Sequence, residues 1–224
     1  MDRAGPLHLR RLKLRRPARQ LIRSVSPQDA EGIMLSPKEF AARWGKDDVP
    51  LMRYPKKAVQ RLSLSEDDKA FLIQAGLPED AAPFLKFETP ESGQLPTVAD
   101  QWNQPSAFAA YRVIGSDGSG NPIALDENKN GEVVLLDHEK KFARILVNNS
   151  IRQLAESLLA YRKLVNDSQE EFGEDAFLNG KTSPTARKAL RQELTRIDAA
   201  AMKSGCFWRG ELQNLDANAG QRTG

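Results

Sequence analysis

Residues 111–164 read YRVIGSDGSGNPIALDENKNGEVVLLDHEKKFARILVNNSIRQLAESLLAYRKL. Four short apolar runs are separated by three polar turns, and the last run leads straight into a helical pattern. The turns SDGSGN and ENKNG are rich in residues that accept left-handed backbone geometry, and Asn130-Gly131 is a strong hairpin signal. Strands are therefore expected over about residues 109–115, 122–126, 132–137 and 142–147. Val133 to Leu136 are all apolar, which predicts a strand buried on both faces, under helices on one side and a further layer on the other. Ser150 and Gln153 fit a capping box, and Ile151, Leu154, Ala155, Leu158 and Tyr161 recur at three- and four-residue spacing. The helix they open is expected to end near Leu164 and to pack one face on the sheet. The fold class is α+β: a central, mostly antiparallel meander sheet flanked by helices.

Upstream, SPKEFAARWG is a well-marked helix start, with Ser36 as N-cap, Pro37 at the first helical position and Glu39 closing a capping box. Another helical turn is expected within 54–62. Ser65 caps a further helix whose first turn carries Glu66, Asp67 and Asp68, with Phe71, Leu72 and Ala75 facing inward and Gly76 at its end. A strand or irregular segment near Phe84–Phe87 is followed by a long connection in which Trp102 covers the edge of the core. Downstream, residues 167–183 are acidic and polar and read as a mobile loop. A second long helix is expected over 184–201, then a short one supplied by CFWRGELQNL, then a tail that frays beyond Asp216.

The 224 residues suffice for one well-filled domain or for one domain with tails. Hydrophobic residues are 40% and charged residues 28%, ordinary values for a globular chain. No apolar run is long enough to cross a bilayer, and the basic N-terminal stretch lacks the apolar region of a secretory signal. The single cysteine, Cys206, excludes an internal disulfide and fits a cytoplasmic setting. Charge is unevenly placed. Residues 1–33 hold eight Arg and Lys against three Asp and Glu, a net of +5, so with a total of +3 the rest of the chain carries −2. Residues 1–33 are thus expected to be a basic leader without an essential folded role, either an arm or an upstream extension if translation begins at Met34. Residues 34–217 form the expected single domain and 218–224 the tail.

Covalent chemistry finds little material. His138, in a turn beside Asp137 and Glu139, is the one histidine outside the leader, which is too few for a two-histidine metal centre. Cys206 has no histidine to activate it and reads as a small buried hydrophobe. The loop GSDGSGNP lacks the Lys and Ser/Thr of a phosphate-cradling loop and precedes a strand, so it reads as a hairpin turn. Asn148, Asn149 and Ser150 satisfy backbone groups where strand becomes helix. No catalytic, metal or cofactor site is expected. Acidic residues crowd the turns instead, where they are either solvated or form a rim that meets a basic partner.

The segments LSPKEFAARWG at 35–45, FLIQAGLPEDAAPFLKF at 71–87, YRVIGSDGSGNPIALD at 111–126, GEVVLLD at 131–137, LVNNSIRQLAESLLAY at 146–161 and FWRGELQNL at 207–215 follow one another at spacings that resemble the SUKH superfamily, most closely its fourth subfamily of bacterial immunity proteins. The resemblance implies an α+β fold with a central sheet. It also implies a protein that neutralises a cognate toxin by direct binding, often a nuclease or a nucleic-acid deaminase. Positions carried over are structural: Gly76, Leu77 and Pro78 ending a helix, Gly115 and Gly131 in turns, Asn149 and Ser150 at the strand–helix joint, and Trp208 near the end. The partner-binding rim is expected at Asp117, Asp126, Glu127, Glu132, Asp137 and Glu139, around an aromatic or aliphatic centre. The alternative is an intracellular regulatory or scaffold module of the same fold without a toxin partner. Nucleic acid is expected to bind only weakly, through the basic residues of 1–33.

Overall fold

The computed structural model describes residues 35–45, 49–90 and 93–220, all within the compact unit Met34–Gly224. The expectations for the leader 1–33 lie outside the described residues. Strands Asp80–Ala81 (β3), Leu85–Phe87 (β4), Tyr111–Asp117 (β5), Pro122–Asp126 (β6), Glu132–Asp137 (β7) and Ala143–Asn148 (β8) form one antiparallel sheet in sequential order. The meander is therefore longer than the sequence suggested, because a tight hairpin, β3–β4, adds itself to the edge of β5. A two-stranded ribbon, Leu51–Met52 (β1) against Leu77–Pro78 (β2), sits beside it. The expected first meander strand starts two residues late, since Ala109 closes a 3-10 turn by donating its N–H to Ser106 O. The other strands match to within one residue.

β7 is buried on both faces for the reason its sequence implies. Val133 and Leu135 join the main core with the helices, and Val134 and Leu136 join a second cluster with Val98, Val113 and Ala124, closed by Trp102, Phe108, Tyr111 and Phe142. Trp102 is an edge cover, packed edge-on against Phe142. Over the opposite face lie helices Pro37–Trp44 (α1), Lys56–Val59 (α2), Glu66–Gln74 (α3), Ile151–Phe172 (α5), Pro184–Ile197 (α6) and Phe207–Gly220 (α7); the short helix Val98–Gln101 (α4) belongs to the second layer. Ser36 and Glu39 make the reciprocal capping box, and Ser65, Ser150 and Ser183 each cap a helix through the side-chain oxygen.

Five expectations need correction. α5 does not end near Leu164 but runs to Phe172, so the first residues of the expected loop are helical. No Gly or Pro interrupts this stretch before Gly173, Lys163 pairs with Asp167 one turn on, and Ser168 is buried with its hydroxyl on Leu164 O. α6 stops at Ile197 rather than 201, because Asp198 turns inward to accept hydrogen bonds. α7 continues past Asp216 to Gly220, with Asp216 paired to Arg187 and Arg191 of α6. Gly115 lies within β5 and not in a turn: a side chain there would overlap Lys86 O, so only glycine lets β4 approach, at a register shift between Val113 and Gly115. Leu77 and Pro78 do more than end a helix, since they form β2; Gly76, with φ +75°, makes the turn between α3 and β2. Gly131 sits at φ +84° in its hairpin.

The strand–helix joint holds a buried polar network. Asp198 accepts from Asn149 N (2.8 Å) and Asn149 Nδ2 (2.9 Å), and Trp208 Nε1 donates to Asn148 Oδ1 (2.9 Å). Each buried polar group thereby meets a partner, which ties α6 and α7 to the end of β8.

Candidate partner-binding surface

Alternate hairpins of a meander fall at opposite ends of the sheet, and this divides the six expected rim acids. Asp117, Asp137 and Glu139 lie at the end formed by the β3–β4, β5–β6 and β7–β8 turns. Asp126, Glu127 and Glu132 lie at the other end, flanking the β6–β7 turn.

The far set is consumed internally. Asp126 is 3% exposed and accepts from Asn128 N and from Arg144 Nε (3.2 Å). Glu132 pairs with the same Arg144, and Glu127 with Arg112 while also accepting from Ser63 N (2.8 Å). Carboxylates already bound to guanidinium groups have little left for a partner.

The near set is freer. Asp117 Oδ1 accepts from Ser119 N and Asn121 N, each at 2.9 Å, so it shapes its own hairpin with neutral donors and keeps its charge uncompensated. Asp137 caps the next turn through Glu139 N and Lys140 N, and a hydrogen bond from Lys140 holds its carboxyl below the ordinary aspartate range. Glu139 is exposed. The two hairpins are pinned together by His138, whose backbone N–H and ring Nδ1 both reach Asn121 Oδ1, at 2.9 and 2.7 Å. His138 is thus an exposed brace.

The same end presents the large apolar side chains that a solvated face would hide. Phe84, at the tip of the β3–β4 turn, is 68% exposed, and Leu178, in the loop after α5, is 73% exposed. Phe84 has φ +58°, a backbone region that bulky residues rarely enter and that costs on the order of 1 kcal/mol or more. Its exposed ring is held there against Gly118. Two grooves meet at this pair. One, of about 560 Å³, runs along Ala81, Ala82 and Lys86; the other, of about 640 Å³, runs from Phe84 to α7 over Tyr161, Phe177, Phe207 and Glu211. A third concavity, of about 320 Å³, continues between α7 and the β7–β8 end, past Asp137 and Cys206. Among the described residues the carboxylates lining the three are Asp80, Asp117, Asp137 and Glu211, against Lys86, and Asp137 is paired with Lys140.

Three of the six acids expected from the sequence, Asp117, Asp137 and Glu139, lie at this end, and the sequence reading did not single out Phe84, Leu178, Asp80 or Glu211 there. Phe84 reads as a strand hydrophobe, and FLNG within an acidic stretch reads as loop. The one available signal was a Phe and a Leu left in segments with no period that could bury them. Cys206 is half-buried rather than buried, with Sγ 3.5 Å from Ala200 O. Burial and then the Asp198 charge push its thiol pKa up, so it carries little thiolate. Among the described residues no group of three or more His, Cys, Asp and Glu side chains is placed to hold a metal ion, and no helix is long and apolar enough to cross a membrane.

The model of a family described as SUKH-4 immunity protein matches residues 35–214. No curated protein and no solved structure matches the chain.

Proposed function

Since the chain belongs to the SUKH-4 immunity protein family, with residues 35–214 matched, we propose that it neutralises a cognate toxin by binding it directly, at the end of the sheet that carries Phe84 and Leu178. The observation that carries this reading is the exposure of those two side chains, 68% and 73%, beside grooves whose charged lining residues, among the described ones, are Asp80, Asp117 and Glu211 against Lys86. Large apolar groups at the centre of an interface supply affinity once desolvated, and the surrounding charges supply orientation and on-rate. The partner this surface suits is basic, as a toxin that acts on nucleic acid would be. The proposed rim keeps Asp117, Asp137 and Glu139, adds Asp80 and Glu211, and leaves out the three acids engaged by Arg112 and Arg144. The protein acts by occlusion, without chemistry of its own.

Growth rescue tests the reading. Toxin domains encoded near this gene are induced in cells with and without the protein. Rescue accompanied by a purifiable complex is expected, and Phe84→Asp or Leu178→Asp abolishes both while leaving the fold intact by circular dichroism. A wild-type protein that neither rescues growth nor binds any of these domains overturns the reading.

A further inference from the structure

The groove between Phe84 and α7 is unusual in what it lacks. Among the described residues two carboxylates, Asp117 and Glu211, line it, and no lysine or arginine does. Neither carboxylate makes a salt bridge to a described residue. Asp117 is served by neutral donors, and the hydrogen bond to Glu211 Oε1 comes from Asn214 Nδ2 at 3.4 Å. The lining also holds four aromatic side chains, Phe84, Tyr161, Phe177 and Phe207. Tyr161 is only 1% exposed, yet its hydroxyl has no hydrogen-bond partner among the described residues. The hydroxyl oxygen itself stays within reach of solvent, which serves it while the groove is empty. The rest of the ring is fixed, tilted at 38° on Trp208 and edge-on to Phe177. The hydroxyl is thus held in the lining of the groove, where a ligand can take the place of that solvent.

We propose that this groove receives an arginine side chain presented by the partner, with the guanidinium bonded to Glu211 and Asp117 and stacked against the aromatic side chains. A guanidinium suits the lining better than an ammonium does. It is planar, so it stacks on phenyl rings, it is weakly hydrated, so it enters a half-buried groove readily, and its fork of donors can serve two carboxylates at once. An N–H remains to donate to the Tyr161 hydroxyl oxygen. At about 640 Å³ the groove is larger than one side chain, and the remainder takes the apolar neighbours of that arginine against Phe84 and Leu178. The toxin-binding reading supplies the source of the arginine; the chemistry of the groove does not depend on it.

Two measurements on the full chain separate the ideas. In the first, ¹H–¹⁵N spectra are followed during titration with N-acetyl-arginine methylamide and, separately, with its lysine and norleucine counterparts. The arginine derivative is expected to produce saturable shifts at Gly118, Ser119 and Gly210, the lysine derivative weaker ones and norleucine none. Glu211→Gln weakens the arginine response roughly tenfold, the effect of losing one charge-assisted bond. Tyr161→Phe weakens it while leaving the melting temperature unchanged or higher, because the hydroxyl has no partner to lose. Equal shifts with norleucine, or an arginine response unaltered in Glu211→Gln, overturn the proposal. The second measurement is toxin rescue by Glu211→Gln. Full rescue at wild-type affinity, with Phe84→Asp inactive, would reject the arginine anchor and keep the toxin-binding reading. Failure of rescue by the wild-type protein would reject that reading and leave the titration to judge the groove.

Discussion

Glu211 sets stability against use. Burial pushes its carboxyl pKa above the ordinary range; the Asn214 hydrogen bond works against this, and the Asp117 charge adds to it. The groups that face it are Asn214 on its own helix, Asp117 on β5 and Tyr161 on α5, and none is a cation. Because the folded state holds this proton more tightly than the unfolded chain does, ionisation costs stability. The cost begins as pH rises past the ordinary glutamate value of 4.5 and is complete above the raised folded value. Glu211→Gln is therefore expected to raise the urea midpoint at about pH 7 and to converge with the wild type below about pH 4. Urea titrations at several pH values check this, and a Gln variant less stable than the wild type at neutral pH would contradict it. No pattern in GELQNL distinguishes this glutamate from a solvated one. Its character comes first from burial in the folded chain, to which the charge of Asp117, brought from a distant part of the chain by the sheet, adds. Asp117 was legible as part of the turn SDGSGN, and its hydrogen bonds from Ser119 N and Asn121 N were not. The buried network was half legible: Asn148 to Ser150 announced the joint, whereas Asp198 fell inside the helix expected over 184–201.

At the scale of elements, what could be read from sequence had local causes. β6 and β7 have their ends written in turn residues, and α1, α3 and α5 have their starts written in caps. What could not be read depended on distant contacts. The polar end of α5 is helical because Leu164 and Ser168 are buried by the rest of the fold, and β3–β4 is a hairpin only because β5 offers it an edge. Gly115 is where that edge is made, and it yields a prediction about function as well as stability. A methyl group there would overlap Lys86 O, so Gly115→Ala forces β4 away from β5. β4 is three residues long and pairs with β5 at Leu85–Asp117, Lys86–Ser116 and Phe87–Gly115, so it has little else to hold it. The substitution is expected to cost about 2–4 kcal/mol, the range for backbone strain combined with overpacking. The loss should be concentrated at the edge, with amide exchange accelerated at Lys86 and Phe87 and near normal in β6 to β8. Partner affinity should fall because Phe84 loses its mooring. Uniform acceleration across the sheet would show instead that the hairpin and the meander unfold as one unit.

The whole molecule carries its charge in two parts that oppose each other in any encounter with a basic partner. Residues 1–33 have a net of +5 and the remainder −2. The described residues belong to the compact unit Met34–Gly224, whose cores have been given above. Within that unit Asp117 and Glu211, at the Phe84 end, make no salt bridge to a described residue and Asp137 pairs with Lys140, while Asp126, Glu127 and Glu132 at the other end are matched by Arg112 and Arg144. A charge distribution of this kind acts on association rate more than on the bound state, and salt screens it within about 10 Å at roughly 0.1 M. The 34–224 fragment is therefore expected to melt at the temperature of the full chain. It should associate faster with a basic toxin domain at low ionic strength, because deletion changes the net charge from +3 to −2. The advantage should vanish at about 0.5 M salt, where screening is nearly complete, and dissociation rates should be equal throughout. Heparin should retain only the full chain, since a polyanion selects the leader. Stopped-flow association across a salt series makes the comparison. A fragment that binds more slowly than the full chain at low salt would mean that the leader attracts the partner and would place the partner's recognised charge on acidic rather than basic groups.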